Sequence, residues 1–345
     1  MMPTQEQAPP RRRSRWRLIV GALAAVAMIA ALAITGITQR SQSASALEDA
    51  LGGRQLRIMA PADPGGGWDQ TSRAVQTALG DIVGRTEVYN VGGAGGTIGL
   101  PQFVRHTGEA NELMVTGAIM VGAILTNGSE ATLDDVDMLA RLTTEYLVIA
   151  VPADSEIQTM EDLADAMAED VGSVSIAGGS AGGVEQVLTG LVAEAVGADP
   201  REASYVAHSG GGEALTTMLS GRSTAGMSGI SELLPYIEDG SMRALAVSSP
   251  ERVANLPDVP TLRESGLDIE LQNWRGIAAP RGLGEDEREA LIAMLDEMHE
   301  SAAWREILED RGWEDAYLTG PELTEFLKTD QETTAQILEQ IGLVK

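Results

Sequence analysis

The chain contains no cysteine, and only two lysines, Lys328 and Lys345, occur among its 345 residues. The first absence excludes disulfide scaffolds, cysteine-ligated zinc, iron–sulfur clusters and cysteine-linked lipid. The second excludes a nucleotide-binding phosphate loop, because neither lysine follows a glycine. Positive charge is scarce as a whole: 24 Lys+Arg stand against 51 Asp+Glu, a formal charge of −27. A nucleic-acid binder needs a basic footprint to neutralise phosphates, so nucleic-acid partners are excluded. Aromatic residues make up only 3%. Glycine is what the chain has in excess, with 39 residues against a usual ~7%. Apolar content of 43% is ample for a core and argues against disorder.

The first 46 residues read as an address. Arg11, Arg12, Arg13, Arg15 and Arg17 precede an uncharged apolar run over 18–37, about the length that crosses a bilayer. The run is long for a cleaved signal, yet Ala44-Ser45-Ala46 is an A-x-A cleavage pattern. A cleaved signal and a retained anchor both place everything after Leu47 outside the cytoplasm, since positive charge stays inside. That exported part carries 18 Lys+Arg and 50 Asp+Glu, a formal charge of −32. Such a charge keeps a protein soluble and repels anions.

From Arg54 to about Val247, short apolar runs alternate with amphipathic stretches. Strands are expected at Leu56–Met59, Val88–Val91, Leu113–Thr116, Tyr146–Val151, Val174–Ala177, Ser204–Val206, Ala225–Met227 and Ala244–Val247. Helices are expected at Trp68–Leu79 and Val184–Val196, where apolar residues recur at helical spacing. This alternation predicts mainly parallel α/β sheets covered by helices. The tail reads as helical over Glu285–Met298, Trp304–Leu308 and Pro321–Ile341, with Pro321 suited to a first turn.

Four times an expected strand ends in a glycine cluster that a helix follows. The clusters are Gly65-Gly66-Gly67-Trp68-Asp69, Gly92-Gly93-Ala94-Gly95-Gly96-Thr97, Gly178-Gly179-Ser180-Ala181-Gly182-Gly183 and Ser209-Gly210-Gly211-Gly212. Glycine lets a ligand approach the main chain, and a helix start offers unpaired N–H groups with about half a positive charge. Together they make an anion site without Lys or Arg. Such loops lie at the carboxyl ends of α/β strands, where ligands bind. No Gly-x-Gly has its third glycine at the dinucleotide-binding offset, which argues against an NAD enzyme.

Gly178-Gly179-Ser180-Ala181-Gly182 also satisfies the nucleophile-elbow pattern G-x-S-x-G, so a serine hydrolase using Ser180 is the enzymatic alternative. Its only downstream histidines are His208 and His299, and His208-Ser209-Gly210-Gly211 follows the serine where an oxyanion-hole motif precedes it. The favoured reading makes Ser180 a helix cap that donates its hydroxyl to a ligand carboxylate. His106, His208 and His299 are too scattered to supply a metal motif, and Asp134, Asp135 and Asp137 lack the glycine and glutamate of a calcium loop.

These segments, with Tyr205–Ala214, Leu245–Arg252, Leu256–Leu262 and Asn273-Trp274-Arg275-Gly276, resemble the extracytoplasmic solute receptors of tripartite tricarboxylate transporters, in order from Arg54 to the C-terminus. The resemblance implies an α/β, two-lobed periplasmic-binding-protein fold of the Venus-flytrap, type II-like class. Its lobes are 54–146 plus 275–345 and 147–274, with strands crossing near Tyr146–Val151 and Trp274–Ala278. It implies capture of a di- or tricarboxylate for a membrane permease by a monomer without cofactor, metal or catalytic residue. A periplasmic sensor of the same ligands is the other alternative. The implied binding residues are Gly65, Gly66, Gly67, Trp68, Asp69, Gly95, Gly96 and Thr97 on one lobe. Ser180, Gly182, Gly183, Ser209 and Gly211 face them from the other. Arg73, Arg141 and Arg275 are candidates for added positive charge. Where relatives often carry Asp-His after the third loop, this chain has Glu185-Gln186, which removes a cationic partner for a third carboxylate.

Overall fold

The computed structural model describes residues 44–344. The apolar run at 18–37 lies outside them. Among the described residues no helix is long and apolar enough to cross a membrane.

Ten strands form one curled sheet. On one flank β1 (Leu56–Ala60) lies parallel between β2 (Thr86–Asn90) and β3 (Glu112–Gly117). On the other, β5 (Ile176–Gly178) lies parallel between β6 (Tyr205–Ala207) and β7 (Ala225–Gly229). The centre differs from the mainly parallel expectation. There β4 (Val136–Pro152), β8 (Met242–Val247), β9 (Gln272–Pro280) and β10 (Glu314–Leu318) pair antiparallel.

The 17-residue β4 belongs to both flanks. From Val136 to Tyr146 it pairs with β9, with β10 on its other side. From Leu147 onward its neighbours are β7 and β8. Where the neighbours change, a backbone amide would be stranded. Ser248 takes it up: its Oγ accepts from the Leu147 amide at 2.9 Å and donates to the Leu271 carbonyl at 2.6 Å. Beyond the switch the strand is buried on both faces. Leu147, Ile149 and Val151 enter one apolar core, while Tyr146, Val148 and Ala150 enter another. That is the period-two alternation of a strand covered on both sides.

Helices close the faces. α1 (Gly67–Ala78) follows β1 and buries Trp68, Thr71, Val75 and Ala78. α2 (Ala118–Asn127) follows β3 directly at Gly117. α3 (Met160–Asp170) starts on a capping box in which Thr159 and Asp162 exchange bonds. α4 (Val184–Ala195), α5 (Gly211–Leu219) and α6 (Ile230–Glu238) follow β5, β6 and β7. Near the C-terminus come α7 (Glu285–His299), α8 (Ala302–Arg311) and α9 (Gly320–Gln340). One further difference stands out. β10 interrupts the expected all-helical tail, its Glu314 and Asp315 paired with Thr144 and Thr143 at the edge of β4. Asp134 and Asp135 form a single capped 3-10 turn after Thr132, and Asp137 lies inside β4.

Candidate functional site

The four glycine loops meet at one cleft between the flanks. It encloses about 490 Å³, including the part open to solvent. Gly66, Gly67, Trp68 and Gly95 line it from the β1–β3 side, and Ser180, Ser209 and Gly211 from the β5–β7 side. Gly65, Asp69, Gly96, Thr97, Gly182 and Gly183 do not line it. Asp69 lies beneath the first loop, where its carboxylate accepts from the Gly65 amide, Asn90 and Arg73, each at 2.9 Å. Burial alone would raise the Asp69 pKa, but the bonds from Arg73, Gly65 and Asn90 hold it below the ordinary carboxylate value. Asp69 thus shapes the loop from below.

Several of the amides expected to be bare have partners inside the protein. The Gly95 amide donates to Ser180 Oγ at 3.0 Å, and the Gly182 amide to Gln186 Oε1 at 2.8 Å. The Gly96 and Thr97 amides close their own 3-10 turn, and the Gly183 amide returns to the Ser180 carbonyl. The Gly67 amide donates to Glu232 of the opposite lobe. The starts of α1 at Gly67 and of α5 at Gly211, each behind an extended glycine cap, converge on the Glu232 carboxylate, which a Cβ on Gly211 would strike.

Ser180 does not cap a helix. The cap of α4 is Gly183, three residues later, which has no side chain to bond that helix start. The Ser180 hydroxyl instead ties the third loop to the second across the cleft. Nor is His208 placed beside it as an elbow nucleophile requires. The His208 ring nitrogens bond the Gly178 carbonyl at 3.0 Å and Thr217 Oγ1 at 2.8 Å, so no histidine among the described residues activates Ser180.

The lobes are in contact along a seam beside the cleft. Gly95 has a left-handed φ of +61°, and a Cβ there would strike Ala123 and approach Ser180 Cβ at 3.4 Å. A Cβ on Gly122 of α2 would run into the Gly182 carbonyl from the other lobe. Ser209 Oγ adds a third link, 2.8 Å from Asp63 Oδ2. The two lobes therefore touch across the cleft in this structure. Gly122→Ala should disfavour closure by about 1–3 kcal/mol, the usual cost of overpacking. Calorimetric titration with the tightest-binding carboxylate should show a loss of about 5-fold to 150-fold, while scattering in the ligand's presence reports a more open particle.

Charged side chains complete the floor. Arg275 on β9 lines the cleft at 3% exposure and pairs with Glu145 of β4, itself 3% exposed. Its other nitrogen donates to Thr71 Oγ1 at 3.1 Å, and its guanidinium lies 5.1 Å from the Trp313 ring centre. Ser231 Oγ donates to Glu145 at 2.7 Å. Glu185 and Glu232 also line the cleft. Burial raises the pKa of both, and their carboxylate neighbours raise it further; Glu185 reaches about 7. The other two arginine candidates lie elsewhere. Arg73 serves Asp69, and Arg141 sits 4.1 Å over the Phe326 ring. Trp274, 2% exposed, packs edge-on against Phe326 as a core residue.

Away from the cleft, His106, Glu109 and Glu112 bring ligand-type atoms within 4.8 Å of one another. Glu112 is already committed, accepting from Arg57 at 2.5 Å and from the Tyr89 hydroxyl at 2.9 Å. Histidine spacing alone does not reveal this trio, because its other two members are acids three and six residues on.

The geometry has counterparts among known proteins. The profile of the tripartite tricarboxylate transporter family receptor matches residues 71–343. A UPF0065 protein from the TAR-I ttuE-ttuC' intergenic region of Agrobacterium vitis is 27% identical over 252 residues, covering 72% of each chain. Among solved structures, the periplasmic binding protein BugD superposes with a TM-score of 0.77 at 22% identity, over 84% of this chain and 98% of BugD. MatC from Rhodopseudomonas palustris, solved with bound malate, gives 0.74 at 22% identity, over 82% and 98%. Those structures share its two-lobed periplasmic-binding fold, and with most of its length matched the chain belongs to the tripartite tricarboxylate transporter receptor family.

Proposed function

We propose that this receptor captures a small carboxylate between its lobes, on the outer side of the membrane, and presents the closed form to a transporter permease. One observation carries the reading: helix starts from opposite lobes, at Gly67 and Gly211, line the same cleft. In a chain this negative, an anion needs local donors that do not depend on Lys or Arg, and helix starts are such donors. The malate held by MatC is of the same chemical class. Ligand shifts the balance toward closure only through its extra affinity for the closed form, which the permease can read.

A thermal-shift panel at fixed salt tests this. Ligand at about 100 times its Kd adds about 2.7 kcal/mol, which for a chain of this size is a rise of several degrees. At least one carboxylate should produce it, and equimolar sulfate or chloride should not. A response confined to compounds without a carboxylate would sink the proposal.

A further inference from the structure

The chain crosses between the flanks at Tyr146–Leu147 in β4 and at Leu271–Gln272 before β9, and Ser248 stands beside both points. Two crossings side by side make a hinge about which lobes can turn. α9 adds a third connection. Its first half belongs to the β1–β3 side, where the Phe326 ring meets the Arg141 guanidinium at 4.1 Å and lies edge-on to Trp274. Its end goes to the other side. Leu338 and Ile341, 0% and 1% exposed, join Val187 of α4 in an apolar cluster separate from both cores. The seat is one face of α4, since Val187, Gly190, Leu191 and Glu194 recur at helical spacing. Ile341 lies directly on the α4 backbone, where a Cβ on Gly190 would come within 2.8 Å of its Cδ1. The Gln340 side-chain amide donates to the Glu194 carboxylate oxygens at 2.6 and 2.8 Å. Beyond the helix Gly342, at φ +74°, lets the Leu343 amide return to the Leu338 carbonyl at 2.8 Å. Leu343 and Val344 thereby pack back against the same cluster.

We propose that residues 337–344 are a releasable strap that holds α4, and the third glycine loop leading into it, against the first lobe in the absence of ligand. If the lobes turn about the hinge, α4 is carried away from the first lobe, and a helix of 21 residues does not stretch to follow. One of the two attachments of α9 must then let go. Phe326 packs against the main core, whereas the end of α9 rests on a cluster of three buried side chains, so the end is the part that yields. Leu338 also reaches the seam between the lobes. Its Cδ1 stands 3.8 Å from a Cβ built on Gly122, the glycine that faces the Gly182 carbonyl. Apolar surface that is buried only while the lobes touch favours that arrangement. The strap therefore sets the balance that any ligand has to shift.

The test uses ligand-free protein. Because the chain has no cysteine, nitroxides attached through Thr77→Cys in α1 and Thr216→Cys in α5 report one distance between exposed positions on opposite lobes. Pulsed electron resonance should find a short distance dominant in the otherwise unaltered chain. Ile341→Asp sets a carboxylate on the apolar seat, and deletion of 341–345 empties it. In each, the ratio of longer to shorter distances should rise about tenfold or more, the effect of losing one fully buried isoleucine. Unchanged distances with a lowered melting temperature make the end of α9 ordinary packing and overturn the inference. So does a longer distance already dominant before either change. Failure of both variants to fold overturns it as well, since a releasable strap is dispensable to the fold. No ligand is added, so none of these results bears on whether the cleft binds a carboxylate.

Discussion

Arg275→Met should destabilise the ligand-free protein by about 3–5 kcal/mol, the loss expected when one member of a buried ion pair is deleted. Glu145 would be left 3% exposed with Ser231 as its remaining hydroxyl partner. Its negative charge would then add to those of Glu185 and Glu232. The guanidinium also holds Thr71 of α1 and stacks near Trp313, so contacts from three parts of the chain are lost together. Lysine is not expected to rescue, because a point charge cannot keep the fork to Glu145 and Thr71. The double variant Arg275→Met/Glu145→Gln should recover most of the loss, because no uncompensated charge remains. Urea unfolding of the parent, both single variants and the double variant gives the coupling directly. A single-variant cost below about 1 kcal/mol would show that the pair is not held in a dry interior.

The second large effect has the opposite sign. Glu185 has a pKa of about 7 in the folded protein, against an ordinary 4.5, chiefly because burial disfavours its charged form. The folded state therefore holds the proton more tightly than the unfolded chain does. The stabilisation this provides is complete below about pH 4.5 and is lost as the pH rises through about 7. The difference between the two values corresponds to roughly 3 kcal/mol. Glu185→Gln keeps the shape and removes the titration. It should melt several degrees above the parent at pH 8, with the advantage shrinking toward pH 5. Melting curves of both proteins across that range test the sign. A constant offset between them would mean that Glu185 stays ionised and solvated throughout. A residue that weakens the fold at working pH while lining the cleft has the character of a functional group.

These two predictions concern residues that local sequence reading is least able to find. The glycine loops are legible because each is a local event, a strand end, a run of glycine and a helical stripe within a few residues. The cleft they line accords with the rule that α/β loops gather at strand ends. Arg275 and Glu145 are 130 residues apart, and Glu145 is one acid among 51. Nothing local separates a buried carboxylate from a surface one. Glu185 carries a faint mark, since it stands in the first turn of the helix after the third glycine loop, but its place in the cleft becomes visible only when the lobes are brought together. The bare amides fail for a related reason. Whether the Gly95 or Gly182 amide is free depends on where Ser180 and Gln186 turn, and glycine spacing does not encode that. β10 stayed hidden because Glu-Asp-Ala-Tyr-Leu is poor in strand-forming residues and gains its conformation from the edge of β4. The first half of β4, with Asp137 and Arg141 interrupting its apolar residues, is masked in the same way.

The unbroken run of β4 through both flanks reaches beyond binding. Neither half can be excised as a freestanding fragment, since any cut that frees one amputates a central strand from the other. Limited digestion should nick exposed turns and leave the pieces associated. Grafting the ligand-closing half of a relative onto this scaffold would succeed only with splice points placed outside that strand, so ligand preference in such receptors is better exchanged one cleft residue at a time than by swapping halves.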